Sequence, residues 1–358
     1  MKHSIYRHIL ATVAAVVAAI GLASCDGLIY DGEGDCDPYY KVRFVYDRNM
    51  KFADAFPSEV RSVTLYVIDD RTGRVVLTRH ESGEALSAPG YMMDIEVEPG
   101  TYTLVAWCGE GHRTHFGVAD TDIKTGLQCS LGARKAHIPG PWGTDGSRVD
   151  DCLDYLYHGR LDAQDFPSTQ GTHIYTVSLT KDTNDIHVML QHLSGEPLDA
   201  SQFTITITDE NGLMDWDNSL MADERLTYFP WHTRSGTAGI DVPDYTDTEA
   251  DVPGRSRAIT QVSAALGELT VGRLMADRRR SSWLNIYNAE GERIVRLPYI
   301  DYFLLEKSER HRAMPDQEYL DRRDDYSMVF FLDRDNRWSK TYIHVNAWRM
   351  VVQTVDTL

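Results

Sequence analysis

Cys25 is the residue whose neighbours equip it for chemistry. It follows Leu22-Ala23-Ser24, and the small residues at 23 and 24 suit a signal peptidase. Upstream, Lys2 and Arg7 make a positive start, and Ile9 to Ile20 is apolar apart from Thr12. That run is shorter than the ~20 residues of a membrane span. The pattern predicts a leader over residues 1–24 and a diacylated Cys25 as the mature N-terminus. The other reading is an ordinary secretory leader with an incidental cysteine. At ~0.8 kcal/mol per buried CH₂, two acyl chains anchor a protein stably. No other run approaches the length of a transmembrane helix.

The remaining reactive residues form no catalytic set. Four further cysteines, Cys36, Cys108, Cys129 and Cys152, allow three complete pairings. An exported chain permits bridges among them, no pairing is singled out, and buried free thiols are the other reading. His112 and His115 are three apart but flanked by glycines, without a supporting carboxylate or Cys-x-x-Cys pattern, so no metal is expected. Asp120-Thr121-Asp122 lacks the ligands of a calcium loop. There is no Gly-x-Ser-x-Gly and no phosphate loop, so the chain is not expected to be an enzyme or to need a cofactor. Arg255-Ser256-Arg257 and Arg278-Arg279-Arg280 read as a solvated face or as a patch for an acidic partner. Trp142, Trp216, Trp231 and Trp338 would serve a glycan or host-ligand site if they clustered on one face.

The formal net charge is −18, and losing a leader with Lys2 and Arg7 makes the mature chain more acidic still. This argues against nucleic acid or an anionic headgroup surface as partner.

The elements that must position these groups are strands. Val42, Phe44 and Tyr46 alternate, and so do Val63, Leu65 and Val67, with Tyr66 and Ile68 apolar on the other face. The second run therefore reads as a strand covered on both sides, in a different sheet from the first. Residues 49–59 read as a partly helical connector. Asp70 to Gly73 and Glu98 to Gly100 are turn chemistry. Strands follow at Arg74–Thr78, Tyr91–Val97, Thr101–Trp107, Leu127–Leu131, Tyr155–Leu161 and Ile174–Leu179. Thr180 to Asn184 is polar and reads as a turn between two domains. Beyond it, strands are expected at Asp185–Leu193, Phe203–Ile207, Arg225–Thr233, Arg257–Ala264, Trp283–Tyr287, Arg293–Leu297, Ser327–Leu332 and Thr341–Val352. Asp209-Glu210-Asn211-Gly212 predicts a hairpin turn, Asn288 to Gly291 another turn, and Asp316 to Arg323 a short helix. Short strands with Gly and Pro turns imply an all-β sandwich architecture. The expected layout is a leader over 1–24, a flexible acidic tether over 25–40, and sandwiches over 41–181 and 182–358.

The segments Phe44 to Met50, Ala53 to Phe56, Val63 to Asp69 and Pro99 to Gly109 resemble the fimbrial anchoring-subunit lipoproteins of fimbrillin-type pili. The leader running into Ile29-Tyr30-Asp31, and Val345 to Trp348, are similar too. The resemblance implies two tandem transthyretin-like β-sandwiches and no catalytic residues. It implies an outer-membrane, surface-exposed lipoprotein that holds fimbrial stalk subunits. The acidic run Asp26, Asp31, Glu33, Asp35 and Asp37 fits surface export in that group. Stalk subunits of such pili are thought to join by strand exchange after loss of an N-terminal strand. Here that strand carries the lipid, and cleavage at Arg43 or Arg48 would release the anchor, so the strand is expected to stay. The alternating C-terminal run Thr341, Ile343, Val345, Ala347, Arg349 and Val351 is the expected partner-binding strand. A surface lipoprotein for glycan or host ligands is the alternative, with a fimbrial tip subunit and a lipid-anchored hydrolase behind it.

Overall fold

The structure is a computed structural model that describes residues 37–109, 115–138, 144–192, 196–239, 261–307, 311–333, 335–345 and 348–351. The leader, Cys25, Cys36, His112, Trp142, Arg255-Ser256-Arg257 and Ala347 lie outside the described residues.

The chain folds as two β-sandwiches. The first is one seven-stranded sheet folded on itself, in the order β3-β2-β5-β10-β11-β1-β4. Its strands are β1 (Pro38–Val45), β2 (Ser62–Asp69), β3 (Arg74–Ser82), β4 (Met93–Ile95), β5 (Gly100–Gly109), β10 (Leu156–Phe166) and β11 (Gly171–Lys181). β11 passes between the two leaves. Its residues 171–178 run parallel to β1, and its residues 179–181 pair antiparallel with β10. The core between the leaves gathers Val42 and Phe44 with Val63, Leu65, Leu104, Tyr157 and Val177. The connector 49–59 is tied by Asn49, whose amide donates to Tyr46 O at 2.8 Å and Ala53 O at 2.7 Å. Asp54 Oδ1 accepts from the Tyr46 and Phe56 N–H groups at 2.9 and 3.0 Å. Only α1 (Phe56–Glu59) is helical there.

The second sandwich pairs two six-stranded sheets. One is β16 (His232–Gly239), β17 (Gln261–Gly272), β12 (Thr183–His192), β20 (Asp325–Leu332), β21 (Trp338–Val345) and β22 (Trp348–Val351), in that order. The other is β19 (Arg293–Leu297), β18 (Trp283–Tyr287), β13 (Thr204–Asp209), β15 (Leu226–Tyr228), β9 (Thr144–Val149) and β8 (Arg134–Ile138). α2 (Tyr299–Leu305) and α3 (Asp316–Arg322) connect the sheets.

Three expectations need correction. First, β8 and β9 come from the early part of the chain but complete a sheet of the second sandwich. β9 runs parallel to β15 from Leu226↔Ser147 to Tyr228↔Val149, so a boundary at 181/182 does not separate the two units. The reason is burial: β9 places Val149 in the second core with Leu226 and Tyr228. Second, the tether ends before residue 40. Pro38 already belongs to β1, and Tyr40 is buried with its hydroxyl donating to Pro167 O at 2.8 Å. Third, Asn211-Gly212 is not a hairpin turn. β13 pairs with β15 and β18, while β14 (Leu213–Met214) pairs with β7 (Cys129–Leu131). Asn211 is buried: its amide donates to Arg273 O at 3.2 Å and its oxygen accepts from the Tyr228 hydroxyl at 2.6 Å. Gly212 is needed for space, since a Cβ there would sit 2.8 Å from Asp223 Oδ2 and 2.9 Å from Leu226 Cδ1.

Candidate functional site

Three places could carry assembly: the N-terminal strand, the C-terminal edge, and the joint between the sandwiches. β1 is held on both sides. It pairs with β11 over eight residues, from Pro38↔Gly171 to Val45↔Ser178, and with β4 from Tyr40↔Ile95 to Val42↔Met93. Its inward residues Tyr40, Val42 and Phe44 are buried. Stripping these three large side chains from the core would cost about 2–5 kcal/mol each.

The C-terminal run is a hairpin rather than one strand. β21 and β22 pair antiparallel, with Tyr342↔Val351 and Val345↔Trp348 in register. Thr341, Ile343 and Val345 fall in β21, Arg349 and Val351 in β22. β21 is also bonded to β20, so its backbone is engaged on both sides. Val345 is buried. Only β22 offers an outer edge. The sequence holds a turn-prone Asn346 between the two runs, and alternation alone hid it.

At the joint, the polar stretch expected as an exposed turn is buried. Thr180, Lys181, Asp182, Thr183 and Asn184 are all buried, and Asp182 alone separates β11 from β12. Buried charge must be paired. Lys181 Nζ reaches Asp324 Oδ2 at 2.6 Å and lies 3.5 Å from the centre of the Tyr155 ring. Arg273 binds Asp321 through Nε at 3.1 Å and through Nη2 to both oxygens at 2.9 Å. Its Nε lies 3.6 Å from Asp182 Oδ1, which also accepts from the Asn218 amide at 2.9 Å. Asp182 Oδ2 and Asn218 Oδ1 have no hydrogen-bond partner. Burial pushes the Asp182 carboxyl up to about 7, with Arg273 and Asn218 opposing. One guanidinium already committed to Asp321 does not fully compensate a second carboxylate. α3 aims this network: Gln317 donates to Leu274 O and to Asp321 Oδ1, each at 2.9 Å. From the same helix, Arg322 donates to Asp47 O at 3.1 Å, so the second sandwich grips the connector of the first.

A second patch lies across the outer face of β5. β6 (Phe116–Val118), β7 and β14 form a three-stranded sheet over it. Ile68, Val105, Trp107, Cys129, Leu156 and Met214 make its core, which covers β2 and β5 on their second face. His158 is buried against Trp107, donates from Nε2 to Trp216 O at 2.9 Å, and is pushed down to about 3 by burial.

Most other residues singled out in the sequence have structural roles. Cys108 and Cys129 are free thiols buried in different core clusters. Burial raises both thiols. Cys152 is exposed. His115 pairs with Asp154 at 3.1 Å. Among the described residues no group of His, Cys, Asp and Glu could hold a metal ion. Arg278 is a staple rather than a solvated or docking cation, donating to Glu210 O at 2.9 Å and Leu220 O at 3.2 Å. Arg279 faces Asp301 at 3.4 Å. Among the described residues the tryptophans do not cluster: Trp216 lies under Lys124 and Arg160 beside the β5 patch, Trp338 packs on Phe330 in the second core, and Trp231 is exposed. The joint was missed because its partners lie far along the chain.

Comparison with known proteins gives the following. A family model described as fimbrillin-A associated anchor proteins Mfa1 and Mfa2 matches residues 33–354. The minor fimbrium anchoring subunit Mfa2 of Porphyromonas gingivalis is 24% identical over 237 residues, covering 65% of this chain and 69% of that one. A solved structure of a Bacteroides thetaiotaomicron protein described as an adhesin is 32% identical, with a TM-score of 0.74 over 89% of this chain and 99% of that one. Another from the same organism, described as polysaccharide-binding, is 28% identical with a TM-score of 0.70 over 89% and 99%. The solved fimbrial anchor protein Mfa2 from Porphyromonas gingivalis shares the fold, with a TM-score of 0.60 at 14% identity over 89% and 100%.

Proposed function

The chain belongs to the family of fimbrillin-A associated anchor proteins, and on that premise we propose that it anchors a fimbrium at the outer face of the outer membrane and ends the fibre there. The tether is a lipid on Cys25, and the work is binding without catalysis. The partners are fimbrial stalk subunits, which meet the C-terminal hairpin at the outer edge of β22 by strand addition.

The observation that carries the reading is the seating of β1. It is the first described strand after the expected leader and tether, is bonded on both sides and buries its inward residues. An N-terminal strand kept in place leaves no vacancy for another subunit's strand at that position and keeps the lipid attached. Such a subunit terminates a polymer instead of extending it. Among the described residues the tryptophans share no face, so they lend the glycan-binding alternative no support.

The test is fibre length and shedding in cells carrying Cys25→Ala. Long fibres released into the medium are expected. Fibres of normal length still attached to the cell would defeat the anchoring role.

A further inference from the structure

The first sandwich is closed along one side and open along the other. On the closed side β10 bonds β11, and Gly159 lets them meet, since a Cβ there would lie 2.5 Å from Val177 Cγ1. On the open side the two leaves end in β3 and β4, which do not pair with each other. β3 is nine residues long and bonds β2 on one side. On its other side only the start is capped, by Val75 N–H to Asp122 O and Lys124 N–H to Gly73 O, both 2.9 Å. β4 is three residues long and, among the described residues, bonds only β1.

A groove of about 1350 Å³ lies along this seam, lined by Tyr39, Val76, Arg79, Asp94, Glu96 and Glu98 among others. It exceeds the ~300–1,000 Å³ of a small-molecule site. Tyr39 and Val76 are 48% and 50% exposed, and Val76 stands on the edge strand β3. Unpaired edges with apolar side chains invite an added strand. One side chain spans the gap: Arg79 Nη1 donates to Asp94 O at 2.6 Å, occupying a backbone acceptor of the β4 edge.

The charges select the occupant. Lys41 is paired with Asp94 at 2.6 Å and Arg79 with Glu81 at 3.0 Å. Glu96 and Glu98 have no ion pair among the described residues. We propose that this seam accepts an extended, cationic segment of a fimbrial partner, which adds as a strand between β3 and β4 and joins the two leaves. The inference rests on the anchoring reading and names a second point where the partner enters. The chain's own residues 26–36 lead into Asp37 at the groove, but they carry Asp26, Asp31, Glu33 and Asp35 and no cation. That acidic run would be repelled by Glu96 and Glu98.

Two variants and one crosslink test the seam. The groove variant combines Val76→Lys, Glu96→Lys and Glu98→Lys, all exposed positions, with an unchanged melting temperature as the folding control. The reference is Cys25→Ala. In parallel, benzoylphenylalanine is placed at residue 76 of the otherwise native, cell-attached protein. The expected result is fibre shedding from groove-variant cells and a crosslink from residue 76 to a fimbrial subunit. Fibres retained by the groove variant but shed by Cys25→Ala overturn the seam and leave anchoring intact. Crosslinks confined to residues 26–36 of the same chain also overturn it, assigning the groove to the tether. Fibres retained by both variants overturn the anchoring reading itself.

Discussion

Asp182 sits fully buried between a guanidinium shared with Asp321 and an asparagine amide, with one oxygen unpaired. Burial pushes its carboxyl up to about 7, well above the ordinary carboxylate range, so the native state holds its proton more tightly than the unfolded chain. The stabilisation is whole below about pH 4 and is lost as pH rises towards 7. Measured against Asp182→Asn by urea unfolding at several pH values, the wild type should lose relative stability between pH 4 and 7 and level off above. The loss should be at most ~4 kcal/mol. Removing the other partner is harsher. Arg273→Met leaves two carboxylates uncompensated and should cost about 3–5 kcal/mol at neutral pH, read in the same unfolding experiment. Gly212→Ala should cost about 1–3 kcal/mol, because its Cβ has no room beside Asp223 and Leu226. Cys108 and Cys129 should resist alkylation in the native protein and react in denaturant, followed by intact mass.

At the scale of elements, β22 is a four-residue strand at the end of its sheet's order, and truncation after Val345 removes it. The truncated protein should fold with a modest fall in melting temperature yet lose fibre attachment. A large fall in stability would show the hairpin to be structural and leave the docking edge unassigned. What could be read from sequence at this scale follows the range of the forces. The alternation in β2 was legible because Val63, Leu65 and Val67 are buried on one face while Thr64 and Tyr66 on the other are only half-buried. The turns at Gly73 and Gly291 were legible because their φ values of +67° and +76° are local demands. Asn211-Gly212 presents the same letters for a different reason, a buried amide and a tight approach set by β15 and β17. β8 reads Arg-Lys-Ala-His-Ile, with too few apolar residues to announce a strand; it forms because β9, itself held by β15, stands beside it. Thr180 to Asn184 looks like a surface turn until Arg273 and Asp324 arrive from about 90 and 140 residues away. Among the candidate site residues, the C-terminal run was placed correctly as strand, but its division at residues 346–347 was not legible from period alone.

Over the whole molecule, the β8–β9 excursion and the grip of Arg322 on Asp47 make the halves interdependent. Residues 182–358 expressed alone lack two strands of their own sheet and should not yield a folded monomer, judged by dispersion of amide resonances. The intact chain should unfold in one cooperative transition. A final consequence concerns direction. In the anchoring role, the membrane pulls on the start of β1 while the fibre drags on the rest of the protein. β1 runs parallel to β11, with hydrogen bonds spaced evenly along eight residues. Traction along its axis loads those bonds in shear, all at once, whereas a peeled hairpin would surrender them one at a time. Two bonded neighbours divide the load further. If Cys25 carries the proposed lipid, the strand next to it is set to resist tension, and a pilus straining in flow should pull that lipid from the bilayer before it pulls β1 from the sheet.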